Sequence, residues 1–193
     1  MPGTLVEKIE FPGASGERSF EVVIYDLLFE QVDCIVNAAN GGLAHGGGVA
    51  AAISKAAGDA LDDECDRIVA RLGRVPTGSA VATTAGKLPF KGVIHAVGPM
   101  MGQSGAGDEQ AKITDALGAS FLIAHDRGWQ SLSFPGISSG IFSVPHEICA
   151  RGYLQAVNGF YQEFPDSSLK RIRLCLFKGP LVDAVAKAII ESR

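Results

Sequence analysis

The apolar positions of this chain fall into short β-branched runs that alternate with longer stretches of helical spacing. The runs Thr4 to Phe11 and Ser19 to Asp26 are separated by Pro12-Gly13-Ala14-Ser15-Gly16, which is turn chemistry. Together they predict a β-hairpin at about residues 4–26. Cys34-Ile35-Val36 is a third run, compact enough for a buried strand, and Ser79 to Thr84, Gly92 to Val97, Ser131 to Phe134 and Arg171 to Phe177 read as further strands.

Helical spacing fills the intervals. A small-residue helix runs from Ala50 to Ala57 and closes at Gly58. Asp59 then caps a second helix to about Leu72, with Leu61, Cys65, Ile68, Val69 and Leu72 on its apolar face. Helices are also expected from about Asp108 to Asp126, from Pro145 onward with Ile148, Cys149, Tyr153, Leu154 and Val157 inward, and from Leu181 to Ile190. Met100 to Gly107 reads as a surface loop. Strands alternating with helices predict an α/β fold with helices on both faces of the sheet, and the hairpin makes that sheet mixed.

The stretch Asn37 to Ile53, NAANGGLAHGGGVAAAI, departs from this regular pattern. A helix normally begins at a Ser, Thr, Asp or Asn whose side chain satisfies a free backbone N–H, yet here the cap position falls among Gly46, Gly47 and Gly48. Its first N–H groups and the positive end of its dipole are left for an anion. Asn37 and Asn40 sit where the preceding strand is expected to stop, the place where open α/β sheets bind ligands, although either could simply form an Asx-turn. A second cradle of this kind is Gly136-Ile137-Ser138-Ser139-Gly140, which follows another strand.

Composition narrows the ligand. At 193 residues, with 47% hydrophobic and 20% charged, the chain is sized for one domain with a sizeable core. A net charge of −4 disfavours nucleic acid as a partner, because a grip on that backbone needs many lysines and arginines on one face. Cys34, Cys65, Cys149 and Cys175 form no CxxC pair, so neither a disulfide framework nor a closed zinc site is expected. His146 and Cys149 are three apart on an expected helix, and without a second pair they imply no metal. Glu7, Lys8 and Glu10 interrupt the N-terminus where a signal peptide needs an apolar run, and no membrane-spanning segment is present, so a cytoplasmic protein without a membrane partner is expected. His95, inside the apolar run VIHAV, reads as a hydrogen-bonded core residue.

Rival motifs fare poorly. Gly136 to Gly140 formally matches the G-x-S-x-G elbow of an α/β-hydrolase. That fold places its histidine last in chain order, whereas no histidine follows His146. The phosphate-binding G-x-x-x-x-G-K-[ST] run and the dinucleotide fingerprint are absent.

Four blocks in order carry a more specific signal. VDCIVNAAN (Val32 to Asn40), HGGGVAAAISKAAG (His45 to Gly58), VIHAVGP (Val93 to Pro99) and FPGISSGIF (Phe134 to Phe142) together resemble the macrodomain family. The resemblance implies a three-layer α/β/α sandwich with a central mixed sheet, binding ADP-ribose, free or on an ADP-ribosylated protein, in a cleft at the strand ends. No cofactor and no metal are expected. Carried over residue by residue, Asp26, which at a strand end could equally cap the next turn, receives the adenine amino group, and Phe177 stacks on adenine or else packs in the core. Ser138, Ser139, Gly140, Ile141 and Phe142 form the diphosphate loop. Gly46, Gly47, Gly48 and Val49 contact the diphosphate and distal ribose, and Asn40 holds the ribose hydroxyls.

One departure bears on catalysis. A large hydrolase branch of the family has an acidic residue after the GGGV run, and this chain has Ala50. The HGGGVA form resembles viral and transferase-associated macrodomains. There, a water between diphosphate and loop backbone could attack the anomeric carbon, with Asn40 orienting the ribose and His45 either assisting or only shaping the glycine turn. Tyr25 and Leu28 also differ from the usual G-D-I-T around Asp26. The resemblance thus implies hydrolysis of ADP-ribose esters, from acidic side chains or from O-acetyl-ADP-ribose, with a non-catalytic ADP-ribose reader as the alternative.

Overall fold

A computed structural model of the chain describes residues 3–13, 16–103 and 107–192. Part of the expected hairpin turn (Ala14, Ser15) and of the expected 100–107 loop lies outside these residues. Seven strands form one sheet: β1 (Thr4–Phe11), β2 (Arg18–Ile24), β3 (Cys34–Ala39), β4 (Ala80–Thr83), β5 (Gly92–Val97), β6 (Ser131–Phe134) and β7 (Arg171–Leu176). Their spatial order is β1-β2-β7-β6-β3-β5-β4. The five central strands are parallel, and β1 and β4 pair antiparallel at the two edges, which gives the mixed sheet.

Period-two alternation sends each strand's residues to two cores. Cys34 and Val36 of β3, with Ile94 and Ala96 of β5, join one buried cluster with α3 (Glu109–Asp126), α4 (His146–Glu163) and α5 (Pro180–Glu191). Ile35 and Ala39, with Val93 and Val97, join the other with α1 (Gly48–Ala57) and α2 (Asp59–Leu72). The result is a three-layer α/β/α sandwich. Of the residues expected inward on α2, Leu61 and Cys65 are buried, whereas Leu72 in the last turn is 61% exposed.

Two sequence expectations change. The β3 strand does not stop at Val36: Asn37, Ala38 and Ala39 continue it, so Asn37 lies inside the sheet and is wholly buried. Its register partner is His95, and both face the α1/α2 layer. The second change is that Asp59 does not cap α2. The cap residue is Gly58 at φ +78, and Asp59 with Asp62 sits in the first turn, where carboxylates favour the helix dipole.

All five parallel strands end on one edge of the sheet. After β3 the chain turns into α1 on one face; after the adjacent β6 it turns into α4 on the other. Neighbouring strands whose helices leave on opposite faces open a crevice at their carboxyl ends.

Two helical glycines make an opposed pair of tests. A Cβ on Gly152 in α4 would stand 2.8 Å from Ile113 Cγ2 and 3.2 Å from the Gln110 carbonyl, whereas a Cβ on Gly118 in α3 would meet nothing within 4 Å. In denaturant unfolding, Gly152→Ala is expected to lose about 1–3 kcal/mol by overpacking. Gly118→Ala is expected to gain roughly 0.5–1 kcal/mol from reduced backbone entropy in the unfolded chain.

Candidate functional site

The crevice between β3 and β6 holds a cavity of about 310 Å³. One wall is the loop from Asn40 into α1, with Asn40, Ala44, Gly46, Gly47, Gly48, Val49 and Ala50 on the cavity. The facing wall is Gly136, Ile137, Ser138, Gly140, Ile141 and Phe142, and Ala38, Ala39 and Gly98 form the floor. None of these lining residues carries a charge.

Helix α1 begins as the glycines require. Gly47 caps it without a side-chain hydrogen bond, and the first helical bond runs from Ala51 N–H to the Gly47 carbonyl at 3.3 Å. The N–H groups of Gly48, Val49 and Ala50 precede that bond at the positive end of the dipole, beside the cavity. Gly48 has φ +58, a conformation that favours glycine.

Asn40 shapes its own loop. Its Oδ1 accepts from the backbone N–H of Gly42 (3.0 Å) and Ala44 (3.2 Å), and its Nδ2 donates to the Ala44 carbonyl (2.8 Å). The amide therefore forms an Asx-type turn, its ordinary role, and one Nδ2 proton is not used in these bonds.

The opposite loop is pinned from below. Tyr153 donates its hydroxyl proton to the Ile137 carbonyl at 2.6 Å, and burial pushes that phenol up, so it stays a donor. Ser138 adopts φ +65, strained for a residue with a Cβ, and its buried Oγ has no hydrogen-bond partner among the described residues. A side chain at Gly98 would strike that hydroxyl and Ile137, so glycine there lets strand β5 pass beneath the loop. Ser139, by contrast, is not on the cavity; its hydroxyl donates to the Gly136 carbonyl at 2.8 Å.

Other expected site residues sit apart. Asp26 and Phe177 lie just beyond the ends of neighbouring strands β2 and β7, outside the cavity lining. Asp26 Oδ1 accepts from Leu28 N–H at 3.0 Å, capping a 3-10 turn (Leu27–Phe29), and leaves Oδ2 over. Phe177 is 74% exposed and does not pack in the core.

His45 is not brought into the cleft. Its side chain is only 9% exposed and turns behind the loop, with Nε2 3.4 Å from Asp62 Oδ1 and its ring 5.7 Å from that of His95. The physical reason is space: behind the loop lies a polar pocket between sheet and α2, while the cavity side is taken up by the glycine backbone. In that pocket His95 is the core residue expected, with Asn37 Nδ2 donating to Nδ1 (3.1 Å) and Nε2 reaching Thr83 Oγ1 (2.9 Å) and Cys65 Sγ (3.7 Å). Burial pushes the His95 imidazole down to about 3, with neighbouring His45 acting in the same direction, so it is neutral near pH 7. The ligand atoms of His45, Cys65 and His95 all lie within 4.8 Å of one another. The His146 and Cys149 pair does not converge in this way, since Cys149 donates to the Val144 carbonyl.

Sequence reasoning missed Ala38, Ala39, Ala44 and Gly98 on the cavity, and took Ala50 only as a missing carboxylate. The available signal was position: Ala38 and Ala39 end β3, while Gly98 directly follows β5.

Comparison with known proteins agrees with this geometry. The profile of the Macro domain family matches residues 36–152. A Thermotoga maritima protein is 43% identical over 88% of this chain, which spans 27% of that longer protein. An O-acetyl-ADP-ribose deacetylase of Klebsiella pneumoniae is 38% identical over 81% of this chain and 88% of its own length. A structure of the Oceanobacillus iheyensis macrodomain with ADP superposes with a TM-score of 0.85 at 28% identity, covering 97% of this chain and 98% of that one. With the profile matched over more than half of its length and such relatives alongside, this chain belongs to the Macro domain family.

Proposed function

We propose that this chain is a single macrodomain unit that binds ADP-ribose in the β3/β6 crevice and hydrolyses ester-linked ADP-ribose. The observation that carries the reading is an uncharged cavity with backbone donors on one wall and an unpartnered Ser138 hydroxyl on the other. A diphosphate suits such a site, because its charge is met by oriented N–H dipoles and not by lysine or arginine. The Oceanobacillus relative holding ADP and the Klebsiella relative named for O-acetyl-ADP-ribose support the ligand class.

In this reading the pyrophosphate lies between the Gly46 to Val49 turn and the Ser138 to Phe142 loop. The adenosine extends toward Asp26 and Phe177, where Oδ2 of Asp26 can accept from the adenine amino group and the exposed Phe177 ring offers a stacking face. The distal ribose lies over Ala38 and Ala39, with the remaining Nδ2 proton of Asn40 on a hydroxyl. Hydrolysis then needs a water at the ester carbonyl or the anomeric carbon. Ala50 and the other lining residues offer no carboxylate or imidazole to activate it. The proton acceptor is left to the substrate's own phosphate, and the protein contributes orientation and exclusion of bulk solvent. Acidic side chains carrying ADP-ribose, or O-acetyl-ADP-ribose, fit this chemistry, because an ester is the easier bond to cleave without a strong base.

The absence of an ionisable group on the cavity lining favours a second reading, a reader that binds ADP-ribose and releases it unchanged. Chromatographic assay of O-acetyl-ADP-ribose and of a peptide bearing glutamyl-linked ADP-ribose separates the two. Turnover is expected on at least one of these esters, and binding without turnover leaves the reader. Asn40→Ala is expected to lower kcat/KM by about 10²-fold or more, because misplacing the ribose by an ångström costs that much.

A second variant reports on the opposite wall. Tyr153→Phe leaves the buried Ile137 carbonyl without its donor, so a loss of about 1–3 kcal/mol in unfolding free energy is expected. Weaker ADP-ribose binding by calorimetry should accompany it. An unchanged protein on both counts contradicts the pinned-loop geometry.

A further inference from the structure

The polar pocket behind the glycine loop is not used by the proposed reaction, and its contents are unusual for the core between a sheet and a helix. Three residues that ligate transition metals converge there from a loop, a helix and a strand: His45, Cys65 and His95. A fourth donor stands beside them. Asp62, one turn before Cys65 on α2, has Oδ2 held by the Ser54 hydroxyl at 2.9 Å, while its buried Oδ1 has no hydrogen-bond partner among the described residues. Both ring nitrogens of His45 are likewise buried without a hydrogen bond among the described residues. Buried polar groups are normally paired, so unsatisfied donor atoms from two facing residues need an explanation.

We propose that His45, Cys65 and His95 bind a single zinc ion, with Asp62, which stands 3.4 Å from His45 but outside the mutual 4.8 Å set of the other three donors, turning inward to complete the tetrahedron, and that the ion clasps the back of the Asn40 to Gly48 loop to α2 and β5. Distances fit. Two donors on one tetrahedral zinc stand roughly 3.3–3.8 Å apart, given Zn–N and Zn–O near 2.0–2.1 Å and Zn–S near 2.3 Å. Cys65 Sγ to His95 Nε2 is 3.7 Å, and His45 Nε2 to Asp62 Oδ1 is 3.4 Å. Since the His45, Cys65 and His95 donors all lie within 4.8 Å, closing them onto one ion takes a side-chain shift of about 1.5 Å at most. The donor set of two imidazoles, a thiolate and a carboxylate suits zinc and excludes a hard cation such as magnesium or calcium.

The surroundings of His95 suit the role. Its Nε2 now shares a proton with Thr83, but Asn37 Oδ1 is a buried acceptor without a partner. A half-turn of the Asn37 amide lets Oδ1 accept from His95 Nδ1–H, which frees the Nε2 lone pair for the ion. Thr83 keeps its own bond to the Thr84 carbonyl at 3.0 Å. An imidazole whose second nitrogen donates to a fixed oxygen is the usual arrangement of a zinc ligand. Binding replaces the Cys65 S–H bond by Zn–S and releases that proton to solvent, so no oxidant or reductant is involved.

The test uses the whole chain, stripped with a chelator and titrated calorimetrically with zinc chloride. Saturation at one equivalent is expected. Cobalt(II) in place of zinc is expected to give a thiolate-to-cobalt charge-transfer band and the intense visible bands of a four-coordinate ion. Cys65→Ser should abolish the charge-transfer band. His45→Gln should keep that band while weakening zinc by at least about tenfold, the lower end of what losing even an outer-shell partner costs. His146→Gln, on α4 and away from the cluster, should change neither. The proposal is overturned if the wild-type chain shows no saturable uptake at micromolar zinc, or if cobalt gives no charge-transfer band. It is also overturned if Cys65→Ser or His45→Gln binds as the wild type does. Should Cys65→Ser fail to fold, the wild-type cobalt spectrum and the His45→Gln titration still decide.

Discussion

A helix that begins without a side-chain cap is the constraint on which this structure turns. Gly47 in the cap position gives α1 no internal acceptor for its first N–H groups, and they face a cavity rather than bulk protein. An anion at such a helix end gains about 0.3–1 kcal/mol when exposed and up to ~2 kcal/mol when partly buried. Alone that is weak selection. The loop after β6, pinned by Tyr153, stands opposite and offers the Ser138 hydroxyl, so the cavity carries donors on both sides. The crossing of α1 and α4 to opposite faces of the sheet creates the gap between the two loops.

Rigidity of the cradle comes from behind it. Asn40 binds the turn into itself through three hydrogen bonds, and His45 buries its ring behind the loop, beside Asp62 and His95. The glycines of the loop can then approach a ligand closely without carrying side chains that would fix their own conformation. Fixity and closeness of approach are thereby assigned to different residues. The same division holds across the cleft, where Gly98 gives room and Tyr153 gives the tether.

Much of this was legible in the sequence, element by element. The hairpin, α2, β5 and the glycine-capped α1 follow from turn chemistry, helical spacing and the missing cap, all of which act within a few residues. Asn37 was misplaced at a strand end because its polar side chain interrupts an apolar run; the hydrogen bond to His95 that lets it stay buried comes from a different strand. His45 could be assigned no direction, since that depends on the space left between α2 and the sheet. The floor alanines were missed for the complementary reason. Small residues carry no chemistry of their own, and their part in the cleft is only that they leave it open.

The most direct measurement is a calorimetric titration of the chain with ADP-ribose, with AMP as the comparison ligand. A site built from two facing cradles for a diphosphate should bind ADP-ribose one to one and at least about tenfold more tightly than AMP, which is roughly 1.4 kcal/mol or more from the second phosphate and distal ribose. Equal affinities, or no binding of ADP-ribose at millimolar concentration, would contradict the account of the cleft.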